Sequence, residues 1–283
     1  MIIPGLRIEL EVDESGKPCY RKECGTFDFP VFVQTVPKSG TYLVAEILKN
    51  LGVIFSGIHL SHWNLVDERN ATLEQLRTNP DRFNSKADFP TAVSIIKNGQ
   101  FAVGHIPYKA EYVDALSRFR KIITYRGMRD MICSYTRYYG YIQCIRTSER
   151  RRERKLKDMT MGEDKVMEWL ALYGFQFSEL ISSIIKWIRE SNTIICTFDD
   201  LINNSASEVR RMAEFLGLNI THEQAAEIGD RSLKTETMTS FPNHADYRRH
   251  WSDKLEDQYQ TFGFDEIDSE LRSIRKSTFK IML

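Results

Sequence analysis

One segment constrains this chain most. An apolar run, Pro30–Val36, is followed at once by Pro37-Lys38-Ser39-Gly40-Thr41. Apolar residues then recur at helical spacing: Tyr42, Leu43, Ala45, Ile47, Leu48 and Leu51, up to Gly52. An apolar run without polar alternation is the pattern of a strand covered on both faces. The order is therefore strand, glycine loop, helix. Further apolar runs at Phe101–Gly104, Lys121–Tyr125 and Thr193–Phe198 read as more buried strands. Helical patterns lie between and around them: Lys109–Ser117, Arg129–Tyr139, Lys165–Arg189 (read as two helices broken near Gly174) and Ser205–Leu216. Such alternation predicts a three-layer α/β fold, a central mostly parallel sheet flanked by helices. Arg7–Lys22, turning at Glu14–Lys17, reads as a small N-terminal β-hairpin decorating it within residues 1–28. The whole chain, 1–283, is read as a single domain.

Composition enters where it limits partners. Lys+Arg and Asp+Glu both number 39, so the formal net charge is +0. A chain without basic excess has no long-range pull on polyanions, so nucleic acid is not an expected partner and any anion site must be local. No stretch approaches ~18 uninterrupted apolar residues, so no spanning helix is expected. Met1–Leu10 carries Arg7 and Glu9 and has no apolar signal core, so the expected location is cytoplasmic. The cysteines (Cys19, Cys24, Cys133, Cys144, Cys196) are scattered, which suits reduced thiols. The run Arg146–Lys157, with seven basic and two acidic residues, reads as a solvated helix or part of a charged, flexible surface insert at 146–164. An electropositive flap near an anionic cofactor is the sharper reading.

Two constellations point to anion chemistry. A helix N-terminus leaves backbone N–H groups unpaired and carries partial positive charge. Lys38-Ser39-Gly40-Thr41 adds a close backbone approach at Gly40, hydroxyls at Ser39 and Thr41, and the Lys38 charge. This suits a phosphate or sulfate, and equally an ordinary turn with Ser39 as the N-cap. It lacks the Walker A spacing. The second constellation follows the strand Lys121–Tyr125. Arg126 stands where a strand's carboxyl end meets a helix start, the ligand-binding edge of open α/β sheets, and Ser134 follows one to two turns on. An arginine fork and a helical hydroxyl can grip a phosphate; an Arg129–Asp130 surface pair is the plainer reading. His59 and His62 could share a helix face and hold a metal, but no third ligand is evident nearby, and lining a pocket or the surface suits them better.

Val36-Pro37-Lys38-Ser39-Gly40-Thr41 resembles the 5′-phosphosulfate loop of the sulfotransferases that use 3′-phosphoadenosine 5′-phosphosulfate (PAPS). Tyr125-Arg126, Asp130 and Ser134-Tyr135 resemble that family's 3′-phosphate segment, with Arg126 and Ser134 eight apart. Thr197–Leu201, Glu208-Val209-Arg210 and Ala213–Gly217 resemble its "YEDL…FLGL" segment, and Trp251 the tryptophan of its C-terminal loop. The resemblance runs from about Pro30 to Phe264. It implies a P-loop NTPase-like sulfotransferase fold, PAPS as co-substrate, PAP as product and no required metal. It assigns nucleotide contacts to Lys38, Ser39, Gly40, Thr41, Tyr42, Arg126, Ser134 and Phe198. The family's final basic pair is not present in place; Arg248 and Arg249 are the nearest bases, offset from it. The loop's second threonine is Tyr42, its tryptophan is Leu43, the adenine-stacking tyrosine is Phe198, and the lysine two before the catalytic histidine is Val103.

His105, twenty-one residues before Arg126, stands where the family has its general base. An imidazole suits that role, because its ordinary pKa lies near neutrality; a histidine satisfied at a strand end is the alternative. The resemblance implies an in-line transfer of a sulfuryl group to a hydroxyl or amine of a small acceptor. His105 takes the proton and Lys38 steadies the leaving oxygen. Aromatic residues (Trp63, Phe89, Tyr108, Tyr138, Tyr139, Tyr141) suggest an apolar or aromatic acceptor, and equally a core. No membrane partner is expected, and a homodimer is open. A nucleotide kinase or NTPase, with Asp199-Asp200 ending a strand, and an inactive nucleotide-binding module are the competing functions.

Overall fold

The structure is a computed structural model that describes residues 10–61, 65–147, 162–237, 247–249 and 251–281. Its strands are β1 (Glu11–Val12), β2 (Pro18–Cys19), β3 (Val31–Thr35), β4 (Ile54–Ser61), β5 (Leu65–Asp67), β6 (Asn84–Ser85), β7 (Gln100–His105), β8 (Arg120–Tyr125) and β9 (Thr193–Thr197). Its helices are α1 (Thr41–Asn50), α2 (Leu73–Thr78), α3 (Phe89–Ser94), α4 (Ala110–Ala115), α5 (Met128–Thr147), α6 (Glu163–Ile185), α7 (Phe198–Asn203), α8 (Ser205–Phe215), α9 (His222–Lys234), α10 (Asp253–Thr261) and α11 (Phe264–Ile281). The chain divides into two compact units, Met1–Tyr125 with Lys186–Met238, and Arg126–Ile185 with Thr239–Leu283.

The first unit holds a seven-stranded sheet in the order β6-β5-β4-β7-β3-β8-β9. The five strands from β4 to β9 in that order run parallel. Edge strands β5 and β6 are antiparallel. β3 is central and wholly buried, as its unbroken apolar run predicts. On one face Val31, Val33, Phe101, Val103 and Ile122 pack under Val44, Ile47 and Leu48 of α1 and Val209 and Met212 of α8. On the other, Phe32, Ile58, Leu60 and Ala102 pack against Phe89 and Val93 of α3, Tyr112 of α4 and Trp187. The N-terminal hairpin is a separate two-stranded sheet, β1-β2, turning on Asp13 and Gly16.

The second unit is helical. α6 runs unbroken through Gly174, against the sequence expectation of a break there. Gly174 leaves space instead: a Cβ on it would lie 2.7 Å from the Phe262 ring. The backbone amide of Met128, at the start of α5, donates to Asp268 Oδ1 of α11 (3.1 Å), and the Tyr259 hydroxyl of α10 donates to Asp268 Oδ2 (3.1 Å). The buried Asp268 thus ties three helices together. Residues 148–161, most of the charged run, lie outside the described residues, as do His62 and Trp63.

Candidate active site

The loop between β3 and α1 is built by two residues in the left-handed region, Lys38 (φ 68°) and Gly40 (φ 97°), flanking Ser39. A lysine there is strained by about 1 kcal/mol or more, and such strain gathers at ligand sites. Ser39 is not the N-cap; Gly40 is. The Ser39 hydroxyl is fully buried and donates back to the loop's own base, lying 2.5 Å from Val36 O and 2.9 Å from Thr124 O. Its amide closes the turn onto Val36 O (3.2 Å). Ser39 therefore staples the loop to β8. The Thr41 hydroxyl likewise lies 2.8 Å from Thr35 Oγ1. The hydroxyls expected to face a ligand hold the loop's shape instead, and the backbone amides opening α1 are the donors such a helix end can offer an anion. Gly40's missing side chain admits the Phe198 ring, since a Cβ would stand 2.8 Å from Phe198 Cδ2. A loop of left-handed turns, helix amides, a lysine and an adjoining aromatic ring fits a nucleotide's phosphate beside its base.

His105 ends β7, next to β3 in the sheet. Its Nδ1 lies 2.9 Å from the Thr35 carbonyl oxygen and 2.8 Å from Thr35 Oγ1. A carbonyl only accepts, so Nδ1 carries the hydrogen and Nε2 keeps its lone pair. Nε2 has no polar partner among the described residues. The next residue is clamped from the opposite face: the buried Gln34 side chain donates to Ile106 O (2.7 Å) and accepts from Ile106 N (3.3 Å). Burial chiefly, then electrostatic repulsion from His59, drives the His105 pKa down to about 3; the hydrogen bond to the Thr35 carbonyl pulls it up, and Lys38 adds a weaker downward push. The imidazole is accordingly neutral at neutral pH, the form that can take a proton.

A third group was not legible beforehand. β4 carries a register irregularity between Phe55 and His59, around Gly57 (φ 82°), which puts His59 opposite Val103. His59 thus sits on a strand rather than a helix face. Its Nδ1 lies 3.2 Å from Glu68 Oε1, and the Tyr42 hydroxyl lies 3.2 Å from each of them. Tyr42, the departure from the family's loop threonine, is the residue that joins the anion loop to this cluster. Among the described residues no group of three or more His, Cys, Asp or Glu could hold a metal ion. The described Cys19, Cys24, Cys133 and Cys196 are free, and burial pushes the thiols of Cys133 and Cys196 up to about 12.

In the helical unit, Arg126 Nη2 stands 4.0 Å from Asp130 Oδ1, and the same oxygen accepts the Tyr247 amide at 3.2 Å. The turn Tyr247–Arg249 is thereby brought to the start of α5, with the Arg248 guanidinium 5.5 Å from the Tyr247 ring centroid. Arg129 does not pair with Asp130; its Nε donates to Glu256 Oε2 (2.9 Å). Trp251 Nε1 donates to the same oxygen at 2.8 Å. Ser134 lies partly exposed on α5. Of the expected acceptor aromatics, Phe89 is core, its ring centroid 4.2 Å from that of Tyr112. The Tyr108 hydroxyl donates to Glu190 (2.5 Å), and the Tyr139 and Tyr173 hydroxyls join α5 to α6.

The parallel sheet and the glycine loop at its edge define a three-layer α/β class, and comparison with known proteins makes it specific. The sequence model described as Sulfotransferase domain matches residues 28–259, and the chain belongs to that family. Among solved structures, mouse sulfotransferase SULT7A1 complexed with PAP is similar at 14% identity and a TM-score of 0.53, covering 91% of each chain. Retinol dehydratase in complex with androsterone and the inactive cofactor PAP is similar at 12% identity and 0.53, covering 85% of this chain and 81% of that one. Retinol dehydratase with retinol and PAP gives 12% and 0.50, covering 89% and 87%. At these identities the likeness is one of fold. A search of curated protein sequences finds no match. Family membership sets the kinase reading aside. No described helix is long and apolar enough to cross a membrane.

Proposed function

We propose that this chain moves a sulfuryl group from PAPS to a hydroxyl or amine of a small acceptor, releasing PAP. The observation that supports it best is His105. Its Nδ1 is fixed on Thr35 O, its Nε2 is left as a lone pair, and Lys38 of the anion loop is close enough to act on its charge. When bound, PAPS supplies an activated sulfuryl group on a phosphate leaving group. The amides opening α1 hold that phosphate, and Lys38 offsets the negative charge that grows on the bridging oxygen. Arg126 and Ser134 hold the 3′-phosphate, with Arg248 adding positive charge and Arg249 the other basic candidate beside it. The Phe198 ring, set against Gly40, offers a face for adenine. His105 Nε2 takes the acceptor's proton as its oxygen or nitrogen attacks sulfur. The known small-molecule ligands of the fold neighbours, retinol and androsterone, favour an apolar acceptor here as well.

The test is transfer from labelled PAPS to a panel of phenols, alcohols, amines and sugars. His105→Ala and Lys38→Ala are each expected to lower turnover by about a hundredfold or more while the fold persists. A His105→Ala variant of full activity removes it as the base. A wild-type protein that binds PAP yet sulfates nothing in the panel favours the inactive-module reading.

A further inference from the structure

His59 and His105 stand edge to face, ring centroids 5.3 Å apart, on the α1 side of the sheet. Their surroundings differ in one respect. His59 Nδ1 faces the Glu68 carboxylate at 3.2 Å, whereas His105 Nδ1 faces an uncharged carbonyl. The Glu68 side chain is only 6% exposed and the His59 side chain 14%, so water screens this pair little. Resting on the general-base reading of His105, we propose that His59, paired with Glu68, is a positioning residue that keeps His105 in its proton-accepting form.

The reasoning is electrostatic. Two imidazolium ions at this separation repel, so a proton added to one opposes a proton on the other. The Glu68 side chain stands against His59 and not against His105, whose Nδ1 meets the Thr35 carbonyl. The neighbouring His59 ring raises the work of protonating His105. The groups facing the pair are Glu68 after β5, Tyr42 on α1, Lys38 in the anion loop and Thr35 on β3. Lys38 acts in the same direction as His59. Thr35 is neutral and Tyr42 contributes a hydroxyl, so Glu68 is the only anion among them. Tyr42, standing where the family's loop has its second threonine, joins the pair. Its hydroxyl spans to Glu68 and His59 and holds the carboxylate on the imidazole.

The closing experiment is an NMR titration of isotope-labelled histidines in the full chain, with His105 assigned from the signal lost in His105→Gln. In wild type, the His105 signal is expected to show no titration down to about pH 5. In His59→Gln its midpoint should rise by about one pH unit or more. In a Glu68→Gln background the same His59→Gln change should raise it by less than half as much, the signature of a pair acting together. The acid limb of kcat/KM should move up in parallel; a merely structural role would lower the plateau and leave the limb in place. Should His59→Gln not fold, His59→Phe keeps a ring against His105 without a charge and carries the same test. A His105 midpoint unmoved in the folded variant overturns the proposal. If instead His105→Gln keeps its activity, the general-base reading falls, and the titration still reports on the coupling.

Discussion

Gly40→Ala probes the anion loop at its tightest point. Three effects combine. An alanine at φ 97° leaves the region open to L-residues, at about 1–2 kcal/mol. Its Cβ would stand 2.8 Å from Phe198 Cδ2 and 3.4 Å from Cε2, with Leu201 Cδ1 behind at 3.9 Å. Restoring ordinary contact at about 3.5–4.0 Å means moving the ring or the loop, an overpacking cost of about 1–3 kcal/mol. Loss of unfolded-state freedom returns about 0.4–1 kcal/mol. The net expectation is destabilisation of about 2–4 kcal/mol. At about 2–4 °C per kcal/mol, the thermal midpoint should fall by about 5–12 °C. Scanning calorimetry with and without PAP is the assay. In a Phe198→Ala background the overpacking vanishes and only the backbone strain stays, so the same change should then cost about 1–3 kcal/mol less. A Gly40→Ala protein within about 1 °C of wild type, or one whose loss is the same in both backgrounds, refutes the reasoning.

The remaining expectations are more compact. Because His105 is held neutral, kcat/KM should stay level from pH 8 to below 6 on its acid side; a fall centred on the ordinary value of 6.5 contradicts the site's electrostatics. For stability, the unfolded imidazole binds its proton near 6.5 and the folded one only near 3. The unfolded state therefore holds more protons between them, and acidification through that window should destabilise wild type more than His105→Gln in urea titrations. Asp268→Ala removes the acceptor of the buried Met128 amide, while the Tyr259 hydroxyl keeps Phe264 O at 3.0 Å, and should destabilise by about 1–3 kcal/mol in denaturant unfolding. A loss under about 0.5 kcal/mol would mean that water replaces these bonds.

The sheet's middle was readable from sequence because parallel strands buried on both faces have no polar alternation to obscure them. Val31–Thr35, Arg120–Tyr125 and Thr193–Thr197 lie where the apolar runs stand. β4 was missed: Ser56, Gly57 and His59 interrupt its apolar character, and the irregularity at Gly57 breaks the period of two. β5 and β6 are too short to carry a pattern. Gly174 misled because glycine weakens an isolated helix, whereas here a distant ring, Phe262, requires the gap. Within the site, the loop lysine, loop glycine and His105 were legible as residue types. What they do was not: that the Ser39 and Thr41 hydroxyls turn inward, and that Nδ1 is the protonated nitrogen, follow only from tertiary contacts. The Tyr42–His59–Glu68 cluster draws on three separate elements, and its one trace in the sequence is a tyrosine where the family's loop has a threonine.

The proposed function rests on two assignments, Lys38 and Arg126 as contacts of the bisphosphorylated adenosine. Calorimetric titration of PAP in the presence of EDTA into wild type, Lys38→Ala and Arg126→Ala measures this most directly. Saturable one-to-one binding in wild type, weakened by about tenfold or more in each variant, is the expected result. Absence of binding heat in wild type, or an affinity that neither substitution changes, contradicts the account.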